Sequence, residues 1–353
     1  MHNFRSLYIF FIVLALNLFF FSTTNLKAKA FLIEDIEISE PFENSFDKNS
    51  LLNEGFKIAF NQLLKTLIKS SDFKRIEKPK LNQIKSMIES FSVKEEKFIN
   101  QIYYVNIGVS FNKRMVFNYL ENKNIFPSQT IKKTFLLLPI IVDENSNDLR
   151  IFSENPFYKS WNDINEKSSL VNYLLPTEDL EDLNLIKNRY NDIEDYNFKE
   201  IIDKYFLEHS IIPLIFKNNN ETTVLSKINI KEEIIIKNDS FKSINFDNKN
   251  EINILIEKLK NNYEDLWKDQ NLINTSIKLS LFIKVDNENL NKSLEFEDTL
   301  NNVDLISDYK INKFDKNHIY YEVVFNGTPK NFINIMSSKN YNFNIQKKIW
   351  VLK

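Results

Sequence analysis

The chain has 353 residues, with 46 Lys and Arg set against 48 Asp and Glu, and no cysteine. Such a balance excludes a general binder of nucleic acid or anionic membrane, which needs a concentrated positive field. The lack of cysteine excludes disulfides, thiol catalysis and a lipid anchor on an amino-terminal Cys, so stability must come from the core.

Residues 1–30 read as a signal peptide. Arg5 supplies the positive end, Leu7 to Phe21 form an apolar run broken only by Asn17, and Ala28-Lys29-Ala30 is a small-x-small cleavage pattern. The run is about 15 residues, short of the roughly 20 that span a bilayer. We expect cleavage after Ala30 and export to the periplasm. Arg5, Lys27 and Lys29 leave with the leader, giving a net charge of −5. No later segment is apolar for long enough to cross a membrane, so no membrane span is expected after cleavage. The remaining length suits two or three domains.

In chain order, Phe31 to Ile38 ends in alternation and predicts a strand. Asp47 to Lys69 follows as an amphipathic helix, with Leu51, Leu52, Phe56, Ile58, Ala59, Leu63, Leu64 and Leu67 on one stripe. A second helix is expected from about Lys80 to Phe91, a long strand over Gln101 to Phe111, and a short helix over Lys113 to Glu121. With Phe135 to Val142 as its last strand, this makes a β-α-α-β-α-β unit over residues 31–150.

Phe135-Leu136-Leu137-Leu138-Pro139-Ile140-Ile141-Val142 is apolar throughout and of strand length. It reads as a strand buried on both faces at the centre of a sheet. After it, Asn155 can cap a helix that Pro156 begins, and Phe157 and Trp161 fall four residues apart on one face. Pro139, Asn155, Pro156, Phe157 and Trp161 form a structural motif on this reading.

The middle domain, residues 151–272, carries a short apolar stretch at Leu170 to Pro176 and a helix capped by Thr177. It continues with a helix at Phe198 to Leu207, a strand at Ile211 to Phe216 with Pro213 near its start, a β-rich segment at Thr222 to Ile236, and a long helix at Lys249 to Lys268. Residues 273–353 predict βαββαβ, a split-βαβ order ending in one strand over Asn342 to Leu352. The fold class expected is α+β or α/β, with two or three small sheets covered by helices.

Chemistry is sparse. Past the leader the chain has three isolated glycines, Gly55, Gly108 and Gly327, which cannot build a phosphate cradle, and two histidines, His209 and His318, without the convergent partners a metal needs. No cofactor is expected. Glu178, Asp179, Glu181 and Asp182 suit a helix amino terminus better than a cation site. Asp143 and Glu144, leaving the buried strand, are the carboxylates best placed for a site. Trp161, Trp267 and Trp350 lie in patterns that suit core packing.

Leu138-Pro139-Ile140, Asn155-Pro156-Phe157 with Trp161, Leu175-Pro176 with Asp179-Leu180, and Phe325-Asn326-Gly327 with Trp350-Val351-Leu352 together carry a resemblance. The chain resembles an uncharacterised family of exported Gram-negative proteins known only as a domain of unknown function. Where family members often have Trp, this chain has Phe152 or Phe157. The resemblance implies small α/β units similar to the amino-terminal domain of TolB, which assemble or tether other proteins, and it implies no catalytic residue. The expected function is a non-enzymatic envelope adaptor that binds another envelope protein, not nucleic acid, through a sheet edge or a groove between units. The alternatives are a carboxylate-dependent hydrolase of envelope glycans using Asp143 or Glu144, and a small-ligand carrier with a pocket between domains.

Overall fold

A computed structural model describes residues 30–353 except 74, 77, 78, 164–167, 219, 220, 232, 288 and 289. The leader over 1–29 therefore lies outside the described residues, and Ala30 opens the first strand. The fold is α+β, built on three small sheets.

The first sheet has the order β1-β3-β2 and is antiparallel, from β1 (Ala30–Pro41), β2 (Ile88–Ile99) and β3 (Ile102–Asn112). Helix α1 (Lys48–Leu67) starts where the Asp47 carboxylate accepts the Asn49 and Ser50 N–H groups. Its stripe, from Leu52 and Phe56 to Leu67, packs on Ile36, Ile38, Val105, Ile107 and Val109. Gly55 lets the helix come close, since a Cβ there would stand 2.7 Å from Ile38 Cδ1 and 2.8 Å from Ile107 Cδ1. Short helices α2 (Ser70–Phe73) and α3 (Leu81–Met87) follow. The helix expected over 80–91 stops at Met87, and β2 takes the residues beyond it. Helix α4 (Lys113–Glu121) then leaves β3 under an Asn112 cap.

The second sheet runs β10-β9-β8-β4-β7, with β5 also beside β8 and β6 outside β5. Its strands are β4 (Lys133–Leu137), β5 (Ile140–Asp143), β6 (Asp148–Arg150), β7 (Val171–Leu174), β8 (His209–Lys217), β9 (Glu221–Ile230) and β10 (Glu233–Lys242). Helix α5 (Pro156–Ser160) and the long α8 (Lys249–Gln270) cover one face; α6 (Leu180–Lys187) and α7 (Lys199–Asp203) lie against the other. The stretch Phe135 to Val142 belongs here rather than to the first sheet, so sheet membership changes between Glu121 and Lys133 instead of at residue 150. It is buried on both faces as its composition dictates, with Phe135, Leu137 and Ile141 in one cluster and Leu138, Ile140 and Val142 in the other. It is not one strand, and β8 holds the middle of the sheet.

The third sheet has the order β12-β13-β11-β15-β14. It comprises β11 (Leu279–Asp286), α9 (Leu290–Asn302), β12 (Ile306–Phe314), β13 (His318–Phe325), α10 (Pro329–Ser337), β14 (Phe343–Asn344) and β15 (Ile349–Leu352). The expected final strand over Asn342 to Leu352 is instead the hairpin β14-β15, which turns β15 parallel to β11.

The segment between α4 and β4 is where all three sheets' units meet. Ser128 N–H donates to Leu67 O at 2.6 Å, Ile273 N–H to Pro127 O at 2.7 Å, and Thr130 N–H and Oγ1 to Asp304 Oδ2 at 2.6 and 2.8 Å. Lys113 is buried there. Its Nζ donates to Val303 O at 3.0 Å, lies 3.6 Å from Asp304, and faces the rings of Phe31 and Phe117. Burial outweighs Asp304 and lowers the Lys113 pKa to about 8. A lowered lysine pKa opposes folding wherever the unfolded side chain is charged, so the penalty is full below pH 8 and fades as pH rises to 10.5. Urea midpoints measured from pH 8 to 10.5 should therefore rise relative to a Lys113→Met variant, by an equivalent of about 3 kcal/mol; parallel profiles would contradict this.

Candidate functional site

The sequence motif converges on one buried residue. Asn155 is fully buried and caps α5, its Oδ1 accepting the Phe157 N–H at 2.9 Å, while Pro156 occupies the first turn where no amide donor is required. Its Nδ2 donates to Pro139 O at 2.8 Å and to Arg150 O at 3.3 Å. The Pro139 carbonyl is available because the ladder to β8 lapses there. Leu137 pairs with Ile211 and Ile140 with Leu214, an unshifted register that sets Pro139 opposite Pro213. Neither proline has an N–H to give, so the strand breaks into β4 and β5 and a side-chain amide takes the place of the missing ladder bond.

Phe157 and Trp161 are both fully buried on the α8 side of the sheet. Phe157 meets Phe246 edge-on at 5.3 Å; Trp161 meets Tyr173 at 5.7 Å and lies nearly parallel to Tyr263 at 6.4 Å. The Trp161 indole N–H has no acceptor among the described residues. Pro139, Asn155, Phe157 and Trp161 are buried and Pro156 is half-buried.

Asp143 is buried and committed. Arg150 Nη2 donates to its Oδ2 at 2.5 Å, Lys217 Nζ lies 3.4 Å from the same oxygen, and Asn145 N–H donates to Oδ1. Burial alone would raise this carboxyl, but Lys217, the Asn145 N–H and Arg150 together hold it below the usual carboxylate range. Glu144 is exposed beside it. The helix after Pro176 is capped by Asp179, which accepts the Glu181 N–H, rather than by Thr177. Lys204 Nζ gathers the cluster, at 2.7 Å from buried Asp182, 3.5 Å from Glu181 and 3.6 Å from Asp179. No group of metal-ligating residues occurs among the described residues.

His209 is buried against Phe135 and Trp267, and its Nδ1 accepts the Lys231 N–H at 3.1 Å. Burial, with Lys133, lowers its pKa, so the ring is held neutral. His318 pairs with Asp315 at 3.2 Å near the start of β13. Trp267 donates its N–H to Ile131 O at 2.8 Å, and Trp350 packs on Phe332 and Phe343.

The open site lies elsewhere, in a cleft of about 660 Å³ between the first and second units. Its walls are the end of α1 with α2 (Lys65, Ile68, Ser70, Phe73), strand β7 (Val171, Asn172, Tyr173), and the polar side of α8 (Glu257, Lys260, Asn261, Glu264, Asp265, Lys268). Strand β7 is an edge of the second sheet. Glu264 fixes its start, accepting the Leu170 N–H at 2.9 Å, the Val171 N–H at 3.2 Å and Ser169 Oγ at 2.9 Å. Asp265 ties α8 to Ser70 at 2.7 Å, and buried Lys268 donates to Lys65 O. These bonds make the two walls one frame. Burial raises the Tyr173 hydroxyl pKa, keeping it neutral at the cleft wall, with Lys260 Nζ over its ring at 5.4 Å. The α8 residues read in sequence as a solvated face, so nothing in the pattern singles them out.

Among known protein families and curated proteins, none matches this chain by sequence. No helix among the described residues is long and apolar enough to cross a membrane.

Proposed function

We propose that the protein is exported through a leader ending at Ala30 and acts in the periplasm as a non-enzymatic adaptor. Its cleft receives an extended segment of another envelope protein, which adds as a strand beside β7. The observation that carries this reading is an edge strand forming one wall of a 660 Å³ cleft. A sheet edge takes an incoming chain where its backbone groups stay unpaired, here beyond Val171, whose N–H donates to Glu264 and whose O accepts from Ser169 Oγ, and the cleft supplies side-chain contacts for it. The short motifs at Leu138-Pro139-Ile140 and Asn155-Pro156-Phe157, read as a resemblance to exported proteins of unknown function, point the same way without a matching family model behind them. The volume also suits a small ligand, since ligand pockets span about 300–1,000 Å³. The hydrolase alternative loses ground because Asp143 is buried, with its Oδ2 held by Arg150 and Lys217 and its Oδ1 by the Asn145 N–H.

Cross-linking in intact cells, with a tag after Lys353, tests the proposal. Asn261 is exposed on α8 and lines the cleft, so Asn261→Trp fills the site without entering the core. The expected result is one abundant envelope polypeptide attached to the native chain and at least about tenfold less attached to the variant, as for loss of a central contact. Equal recovery by both proteins would place the partner elsewhere. If only a small molecule is recovered, and Asn261→Trp abolishes it, the carrier reading replaces the adaptor.

A further inference from the structure

A second surface, independent of the cleft, lies on the opposite side of the first unit's sheet order from β1. Strand β2 is the free edge of that sheet, pairing only with β3 among the described residues. All eleven of its residues after Ile88 are exposed, including Phe91, Val93, Phe98 and Ile99. Its charges are already matched within the chain. Lys94 passes over Gly108 to Glu34 at 2.8 Å and Asp35 at 3.3 Å, Glu95 meets Lys97 at 2.7 Å, and Glu96 meets Lys48 of α1 at 2.7 Å.

A bulge between Val93 and Glu95 interrupts the alternation. Phe91, against Phe56 of α1, and Glu96, against Lys48, mark the helix side; Ser92 and Lys94, beside Gly108, mark the other. The order across the bulge is therefore helix side at Val93, far side at Lys94 and Glu95, helix side again at Glu96. That order reads the same in both directions.

We infer that β2 pairs with the β2 of a second copy of this chain, antiparallel about a two-fold axis between Lys94 and Glu95. In this register Lys94 faces the second copy's Glu95, Phe91 faces its Phe98, Ser92 faces its Lys97, and Val93 faces its Glu96. Each pair falls on one side of the joined sheet, opposite charges meet at the axis, and aromatic rings meet at both ends. A pairing in which Lys94 faced Lys97 and Glu95 faced Glu96 would set like charges against each other throughout, and it would leave Phe91 facing a position beyond the last residue of the strand. The result is a continuous six-stranded sheet, an ordinary size, with an α1 over each half.

The absence of cysteine makes the test clean. Purified protein covering residues 31–353 should show a concentration-dependent monomer–dimer equilibrium by sedimentation. Glu95→Lys, which sets lysine against Lys94 twice, should weaken association about tenfold. Ser92→Cys and Lys97→Cys proteins, mixed and oxidised, should form a crossed disulfide dimer, because facing Cβ atoms in such a pair lie within disulfide reach. Either variant alone should not. A monomer at every concentration would overturn the inference, as would self-linked Ser92→Cys dimers without crossed ones, or association indifferent to Glu95→Lys.

Discussion

Replacing Asn155 with alanine should destabilise the fold by about 3 kcal/mol, and Asn155→Asp should do no better at pH 7. Alanine removes the acceptor for the Phe157 N–H and the donor to Pro139 O and Arg150 O, all inside the protein. Aspartate restores the cap but turns a carboxylate toward two carbonyl oxygens, in a fully buried place where a charge is costly. Protonation relieves that repulsion. The folded-state pKa of the new carboxyl is therefore raised, and the deficit of Asn155→Asp should shrink as pH falls through that raised value toward about 3.9, while the Asn155→Ala deficit stays level. Urea unfolding followed by circular dichroism at several pH values separates these outcomes. An Asn155→Asp protein as stable as the native one at every pH would show that Asn155 acts only as a cap.

Trp161→Ala should cost about 3–5 kcal/mol, since it empties an indole-sized space between α5, Tyr173 and α8. Trp161→Phe should cost only about 1–2 kcal/mol. The indole N–H has no acceptor among the described residues, so phenylalanine removes a buried donor as well as some volume. Thermal and urea unfolding of the two variants tests this. A Trp161→Phe loss as large as that of Trp161→Ala would mean that the N–H is satisfied in solution.

The local rules were legible where one pattern ran uninterrupted. Asp47 and the apolar stripe placed α1, Lys113 to Glu121 gave α4 to the residue, and Asn155 with Pro156 marked α5. Strand β2 escaped because its bulge places Phe91, Val93, Glu96 and Phe98 on one side, a spacing that fits neither two-residue alternation nor a helix. The sheet to which Phe135–Val142 belongs was illegible for another reason. Its partner β8 lies 74 residues downstream, and a strand buried on both faces carries no mark of which neighbour it joins. Pro139 and Pro213 each announced a missing donor, but only the fold shows them opposite one another. Phe152 and Phe198 take left-handed backbone angles that sequence rules assign to Gly or Asn, held there by burial in the same cluster. The cleft was harder still, because Glu264, Asp265 and Lys268 are ordinary polar positions on a helix until β7 and α2 are brought against them.

The β7 edge is the proposed receptor for another chain. A photoreactive residue at Asn172, exposed on β7 within the cleft, can be compared in living cells with the same residue at Phe206, exposed outside it. The expected result is one envelope polypeptide joined at Asn172 and absent at Phe206. Identical adducts at both positions, or none at Asn172, would contradict it.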